Sequence, residues 1–197
     1  AIFASLSKAY DIFAPHVFEQ EACFSDQDNI RYASVTSLDE IEFEKKSEYS
    51  FKEALLAVQQ NLFYFTEDEV TVPKISDKGI LIFLRSCDLH AVKRLDQIYL
   101  NNGPEDFYYK RLREKAKFVL MGCTETCSSG FCASLGTNQA DNYDMYLKIT
   151  DGKVVVDCKN EELAGYFAGA DTAEVIPDFV TGNKEKVTLP KNLSNES

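Results

Sequence analysis

Six cysteines, Cys23, Cys87, Cys123, Cys127, Cys132 and Cys158, are the residues of this 197-residue chain best equipped for chemistry. Three of them fall within ten residues, in Cys123-Thr-Glu-Thr-Cys127-Ser-Ser-Gly-Phe-Cys132. Their even number does not imply disulfides, because that rule belongs to short secreted chains. In a reducing compartment such a cluster points instead to metal or redox chemistry. Cys87 follows the apolar run Ile80–Leu84 and opens a helical pattern, and Cys123 follows a second apolar run, Phe118–Met121. If these runs are neighbouring parallel strands, both thiols emerge at the same carboxyl edge, where α/β proteins place ligands. Cys127 and Cys132 lie on the loop that follows. Together the four thiols are the ligand set of a [4Fe-4S] cluster or of a structural zinc. The spacings Cys-x3-Cys and Cys-x4-Cys match neither the bacterial ferredoxin run nor the zinc Cys-x2-Cys. On spacing alone, an iron–sulfur cluster, zinc and plain buried thiols all stay open. Cys23 and Cys158 read as inert, buried small hydrophobes.

The surroundings favour an anionic centre. Helix N-terminal amides after Cys87 would face it, Arg85 is close in sequence, and Gly130 and Gly136 let backbone N–H groups approach sulfur. Such settings lower thiol pKa values and so assist metal binding. His16 and His90 are the two histidines; His90 could approach the cysteines, but a hydrogen-bonded surface role fits it better. No dinucleotide-binding Gly-x-Gly-x-x-Gly, Walker loop, Gly-x-Ser-x-Gly or His-Glu-x-x-His is present. Catalysis by this chain alone is therefore not indicated.

The elements that would position these residues read as a mixed sheet with helices packed on it, an α+β (mixed α/β) fold. A short helix over 1–10 carries Ile2, Phe3, Leu6 and Tyr10 on one face. Residues 10–15 read as extended, with Pro15 at a strand end or edge, and 30–35 as a strand. Ser37-Leu-Asp-Glu40 and Ser50-Phe-Lys-Glu53 have the capping-box pattern. The second predicts a helix to about Asn61 with Ala54, Leu55 and Val58 inward. Residues 62–66 and 70–75 read as short edge-like strands. Ile80–Leu84, a helix over 89–100 with an apolar stripe of Ala91, Val92, Leu95, Ile98 and Tyr99, a basic aromatic helix over 106–115 and Phe118–Met121 form a βαβ-like crossover. Asp151-Gly152 between two alternating runs predicts a C-terminal β-hairpin, followed by a helix over 161–167. The expected domain spans 1–180, with a linker or tail over 181–197.

In the helix over 106–115, Phe107 and Leu112 are expected inward, with Lys110, Arg111 or Arg113 exposed. That face is either a solvated surface or a patch that docks a partner. Net charge is −11, from 32 acids against 21 bases. Nucleic acid and anionic membrane surfaces are poor partners for it, whereas an acidic face could dock a basic redox protein. The longest apolar run is six residues, against the roughly 20 needed to span a bilayer. The start shows no secretory signal, and Ala1 opens mid-pattern, as if trimmed.

Phe83-Leu-Arg-Ser-Cys-Asp-Leu-His90, Arg94–Gly103 and Glu105–Lys115 resemble the iron–sulfur subunit of anaerobic sulfite reductase. Tyr10–Pro15, Lys46-Ser47, Ser50–Glu53 and Leu62–Glu67 extend the likeness. The β subunits of cytosolic nickel–iron hydrogenases share the Arg-x-Cys-Asp element more loosely. The resemblance implies a cytoplasmic iron–sulfur protein that relays electrons from a flavin-containing subunit to a siroheme-containing one. It implies also a ferredoxin-like domain beyond the tail, none of whose Cys-x2-Cys runs is present here. Cys87, Cys123 and Cys132 carry over onto the family's cysteine positions. Cys127 does not: the family's middle cysteine is replaced by Gly130. On this reading Cys87, Cys123, Cys127 and Cys132 hold a [4Fe-4S] cluster, which this segment alone could also lack. The alternatives are a metal-free or zinc-stabilised docking scaffold and a hydrogenase β subunit.

Overall fold

Two continuous apolar runs set the centre of the molecule. β5 (Gly79–Leu84) and β6 (Ala116–Met121) lie side by side and parallel, with Ile80 opposite Ala116 and Leu84 opposite Leu120. Such strands are buried on both faces, which is why neither alternates polar with apolar. A computed structural model describes residues 2–171 and 175–184, and in it these strands anchor a six-stranded sheet. Its order is β2 (Asn29–Ser34), β1 (Tyr10–Phe18), β5, β6, β7 (Met145–Thr150), β8 (Lys153–Cys158). β1, β5, β6 and β7 are parallel, and β2 and β8 close the two edges antiparallel. The fold is the expected α+β mixed sheet.

One sheet face carries Ile80, Ile82, Leu84, Phe118, Leu120 and Tyr146 against α2 (Ser86–Tyr99) and α3 (Phe107–Arg113). The other carries Ile12, Leu81, Phe83, Val119, Met121 and Leu147 against α1 (Ile2–Ala9) and α4 (Glu161–Ala164). Strand alternation alone sorts the side chains into these two layers. The hairpin turns at Asp151 and Gly152, with φ of 51° and 71°, the two left-handed residues that a type I′ turn requires.

Several elements differ from expectation. The helix predicted over 50–61 is one 3₁₀ turn, Phe51–Ala54, capped by the Ser50 hydroxyl. Phe51 and Leu55 are fully buried, but Val58 is 88% exposed; beyond Leu55 the polar Gln59-Gln60-Asn61 offers nothing to bury, and so short a helix cannot sustain itself. Pro15 lies inside β1, opposite Tyr32, at the locally open edge expected of it, since the pairing with β5 ends at Phe13. Its carbonyl accepts from Glu42 N–H at 2.8 Å, so its nitrogen faces a loop and no ladder bond is lost. α2 begins at Ser86, three residues earlier than expected, and Ile98 points to solvent. α3 buries Tyr109 and leaves Phe107 exposed, because Tyr109 stacks on Tyr99 and donates its hydroxyl to Asp96. The last helix is a single α turn that tightens into a 3₁₀ turn, Gly165–Phe167. β3 (Tyr64–Phe65) and β4 (Val70–Thr71) form a separate two-stranded sheet. Residues 185–197 of the expected tail lie outside the described residues.

Candidate functional site

The chain passes from β5 to α2 through a single residue, Arg85, so Cys87 falls in the first turn of α2. Cys123 lies two residues beyond β6. Because β5 and β6 are adjacent and parallel, both cysteines stand at the same carboxyl edge of the sheet. Cys127 and Cys132 follow on the loop 122–144, which joins β6 to β7. Cys87 is close enough to the other three for their charges to act on its thiol, as Cys127 and Cys132 also act on Cys123.

Arg85 organises this edge. Its guanidinium donates to the carbonyls of Gly122 (2.9 Å), Phe43 (2.8 Å), Glu44 (3.2 Å) and Lys45 (3.2 Å). It also reaches the Cys123 sulfur at 3.5 Å. One side chain thus ties the 43–45 loop, the end of β6 and the thiol together. The buried Ser86 hydroxyl donates to Asn138 O at 2.7 Å, and His90 Nε2 lies 2.8 Å from Gln139 O. His90 therefore has the hydrogen-bonded role expected of it. The outer side of the loop is strapped by residues 175–184. Cys123 N–H donates to Asp178 O, the Thr126 hydroxyl to Gly182 O, and Asn138 Nδ2 to Val180 O.

A cavity of about 380 Å³ opens at this edge, lined by Cys123, Cys127, Arg85, Lys45, Lys46 and Lys184 among others. Its four cations outnumber its two acids, Glu44 and Glu125, a local excess of positive charge in a chain of net charge −11. Burial pushes the Cys87 thiol up to about 12, and Asp88 and the neighbouring thiols add to the shift. Cys87 retains solvent-exposed surface, so it is crowded without being sealed. Burial likewise raises Cys123, while the charge and hydrogen bond of Arg85 oppose the rise. Without a metal, Cys87 and Cys123 stay protonated at neutral pH.

Thiolates in this number are the ligands of iron–sulfur clusters and of zinc, and the surrounding cations would offset the charge of either. In kind the four cysteines suit such a group, and Cys87 and Cys123 stand at one edge of the sheet. Among the described residues, no three His, Cys, Asp or Glu side chains are drawn close enough to hold one ion. The expected glycine contribution is absent: Gly130 N–H is bonded to Cys127 O and Gly136 N–H to Ala133 O, so neither faces sulfur. Gly130 matters sterically, since a Cβ there would stand 3.1 Å from the Cys127 Cβ. Cys23, expected buried, is exposed, with its sulfur 3.5 Å from the Tyr49 hydroxyl. Cys158 is half-buried at the far sheet edge, where its thiol donates to Asn160 O.

The arginines of α3 are not free to dock a partner. Arg113 pairs with Asp96 at 2.9 Å, and Arg111 donates to Pro73 O at 2.9 Å. Ser86, Asn138 and the 175–184 strap are site residues that sequence reasoning missed, because nothing in their spacing marks a contact made across the fold. A larger apolar cavity of about 740 Å³ lies on the α1 side of the sheet, bounded by Phe3, Leu6, Phe83, Met145 and Val156. It has few polar groups and offers no chemistry of its own. No helix among the described residues is long and apolar enough to cross a membrane.

Over 130 residues, 64% of its length, the chain is 35% identical to the beta subunit of sulfhydrogenase 2 from Pyrococcus furiosus. It spans 38% of that protein. No protein-family profile and no solved structure matches it.

Proposed function

We propose that this chain is part of an electron-transfer subunit in a sulfhydrogenase-type oxidoreductase assembly, with Cys87, Cys123, Cys127 and Cys132 holding an iron–sulfur cluster of the [4Fe-4S] kind. The observation that supports the reading is the placement of Cys87 and Cys123 at one carboxyl edge of the sheet, beside a cationic cavity lined by Cys123 and Cys127. The likeness to a sulfhydrogenase beta subunit supports the redox assignment and favours a hydrogenase-type complex over a sulfite reductase. Bound there, such a cluster would supply one-electron transfer at a potential tuned by hydrogen bonds to sulfur and by solvent exposure.

The chain's own residues set those conditions. Arg85 donates to the Cys123 sulfur and holds the 43–45 loop over it. Cys87 is crowded enough for desolvation to raise its thiol, yet keeps surface open to solvent. Loop 122–144 carries Cys123, Cys127 and Cys132, and the 175–184 strap is hydrogen-bonded to it at Cys123, Thr126 and Asn138. The thiols must shed their protons to bind metal, and Arg85 favours that loss at Cys123.

The second reading is the iron–sulfur component of an anaerobic sulfite reductase, with flavin- and siroheme-containing partners, carried by the motif residues 83–90. Freeze-quenched electron paramagnetic resonance on the anaerobically isolated complex separates the two. Hydrogen as reductant should elicit a reduced-cluster signal that Cys87→Ala diminishes. A signal oxidised by sulfite and indifferent to hydrogen would establish the second reading, and one unaltered by Cys87→Ala would end the cluster assignment.

A further inference from the structure

Residues 58–75 leave the main sheet and build a hairpin of their own. β3 and β4 pair antiparallel, with Tyr64 opposite Thr71 and Phe65 opposite Val70. Thr66 N–H donates to Glu69 O at 2.8 Å and Glu69 N–H to the Thr66 hydroxyl at 3.1 Å, closing the turn over Glu67 and Asp68. Strand alternation places Phe63, Phe65, Val70 and Val72 on one face. All four are exposed, Phe65 at 75% and Val70 at 70%, and the Phe63 and Phe65 rings lie 6.1 Å apart.

A two-stranded hairpin alone in water is marginal, and an apolar face this continuous marks an interaction site. This hairpin is nonetheless held in place at both ends of its base. The Tyr108 hydroxyl donates to Leu62 O at 2.7 Å, and Arg111, seated over the Phe107 and Tyr108 rings, donates to Pro73 O at 2.9 Å. The face is presented to solvent on a fixed stalk.

Charge decides what covers it. The tip carries Glu67, Asp68 and Glu69, all exposed. A second copy would bring the same three acids to the contact, and an anionic lipid surface would repel them equally. The complement is an apolar groove rimmed with Lys or Arg. We propose that Phe63, Phe65, Val70 and Val72 dock into such a groove on another protein, with the acidic tip on its basic rim. This docking uses no property of the cysteine edge, so either can fail alone.

The test places a photo-crosslinking phenylalanine analogue at position 65 of the full chain in its native cells. The expected result is one discrete adduct with a different protein, crosslinked at a peptide where apolar residues adjoin Lys or Arg. Its yield should fall about tenfold in E67K/D68K/E69K, because charge complementarity governs encounter. Adducts with a second copy, with lipid or with no discrete partner overturn the proposal, as does a yield indifferent to the charge reversal. Phe65→Ser/Val70→Ser should keep the wild-type melting temperature, and a large loss would show the face to be structural.

Discussion

Replacing Arg85 with Met probes the cysteine edge through its most connected side chain. Met keeps much of the apolar stem and removes every donor. Four carbonyls lose their partner, at 2.8 to 3.2 Å in the wild type, and so does the Cys123 sulfur. The Glu44 and Lys45 carbonyls sit at exposed positions and turn to water at little cost. Those of Gly122 and Phe43 are partly buried, and each costs roughly 1–3 kcal/mol when left unpaired. The sum is about 2–6 kcal/mol, which in a domain of this size lowers Tm by roughly 4–24 °C. Thermal unfolding of the metal-free protein by circular dichroism reads it. A second readout is chemical: Arg85 opposes the burial that raises the Cys123 thiol. In Arg85→Met the pH midpoint for Cys123 alkylation should move upward, and in Arg85→Lys, which keeps the charge, it should move less. A Tm loss under about 2 °C, or an alkylation midpoint that moves downward, would refute the clamp.

Asp96→Ala strips the two-point partner of Arg113 and the acceptor of the buried Tyr109 hydroxyl. Discounted for side chains about a quarter exposed, the loss should be about 2–3 kcal/mol by urea unfolding, with Asp96→Asn recovering part; a loss near zero would show that water replaces both bonds. Cys87 links stability to alkaline pH. Its thiol is raised from 9.0 to about 12, so the metal-free native state retains a proton that the unfolded chain releases above pH 9.0. That stabilisation is whole below pH 9.0 and is lost as pH rises through about 12. Cys87→Ser should therefore show a flatter fall in stability across this window, and parallel curves would contradict the assignment.

The parts of the fold carried by local signals were legible. Two uninterrupted apolar runs announced β5 and β6, the Asp151-Gly152 pair announced the last hairpin, and Ser37 and Ser50 cap turns where their spacing said they would. From the two strands followed the shared edge of Cys87 and Cys123, with Arg85 beside them. The failures share a cause. Ser50–Glu53 marks a helix start, but only burial decides how far the helix runs, and burial ends at Leu55. Phe107 and Tyr109 are equally plausible inward residues on helical periodicity; the stacking partner Tyr99 and the acceptor Asp96 choose Tyr109. Cys23 was assigned by its residue type, which says nothing about a loop that stays on the surface. The 175–184 strap binds through backbone carbonyls at 178, 180 and 182, and a carbonyl leaves no trace in sequence.

Iron and acid-labile sulfide analysis of the chain, purified and reconstituted without oxygen, tests the central claim most directly. Wild-type protein should carry close to four irons and four sulfides per chain, with both contents falling sharply in Cys87→Ala and in Cys132→Ala. Cys23→Ala, which alters a cysteine outside the edge, should leave them unchanged. Zinc in place of iron, a protein that takes up neither, or iron retained equally by all three variants would contradict the account.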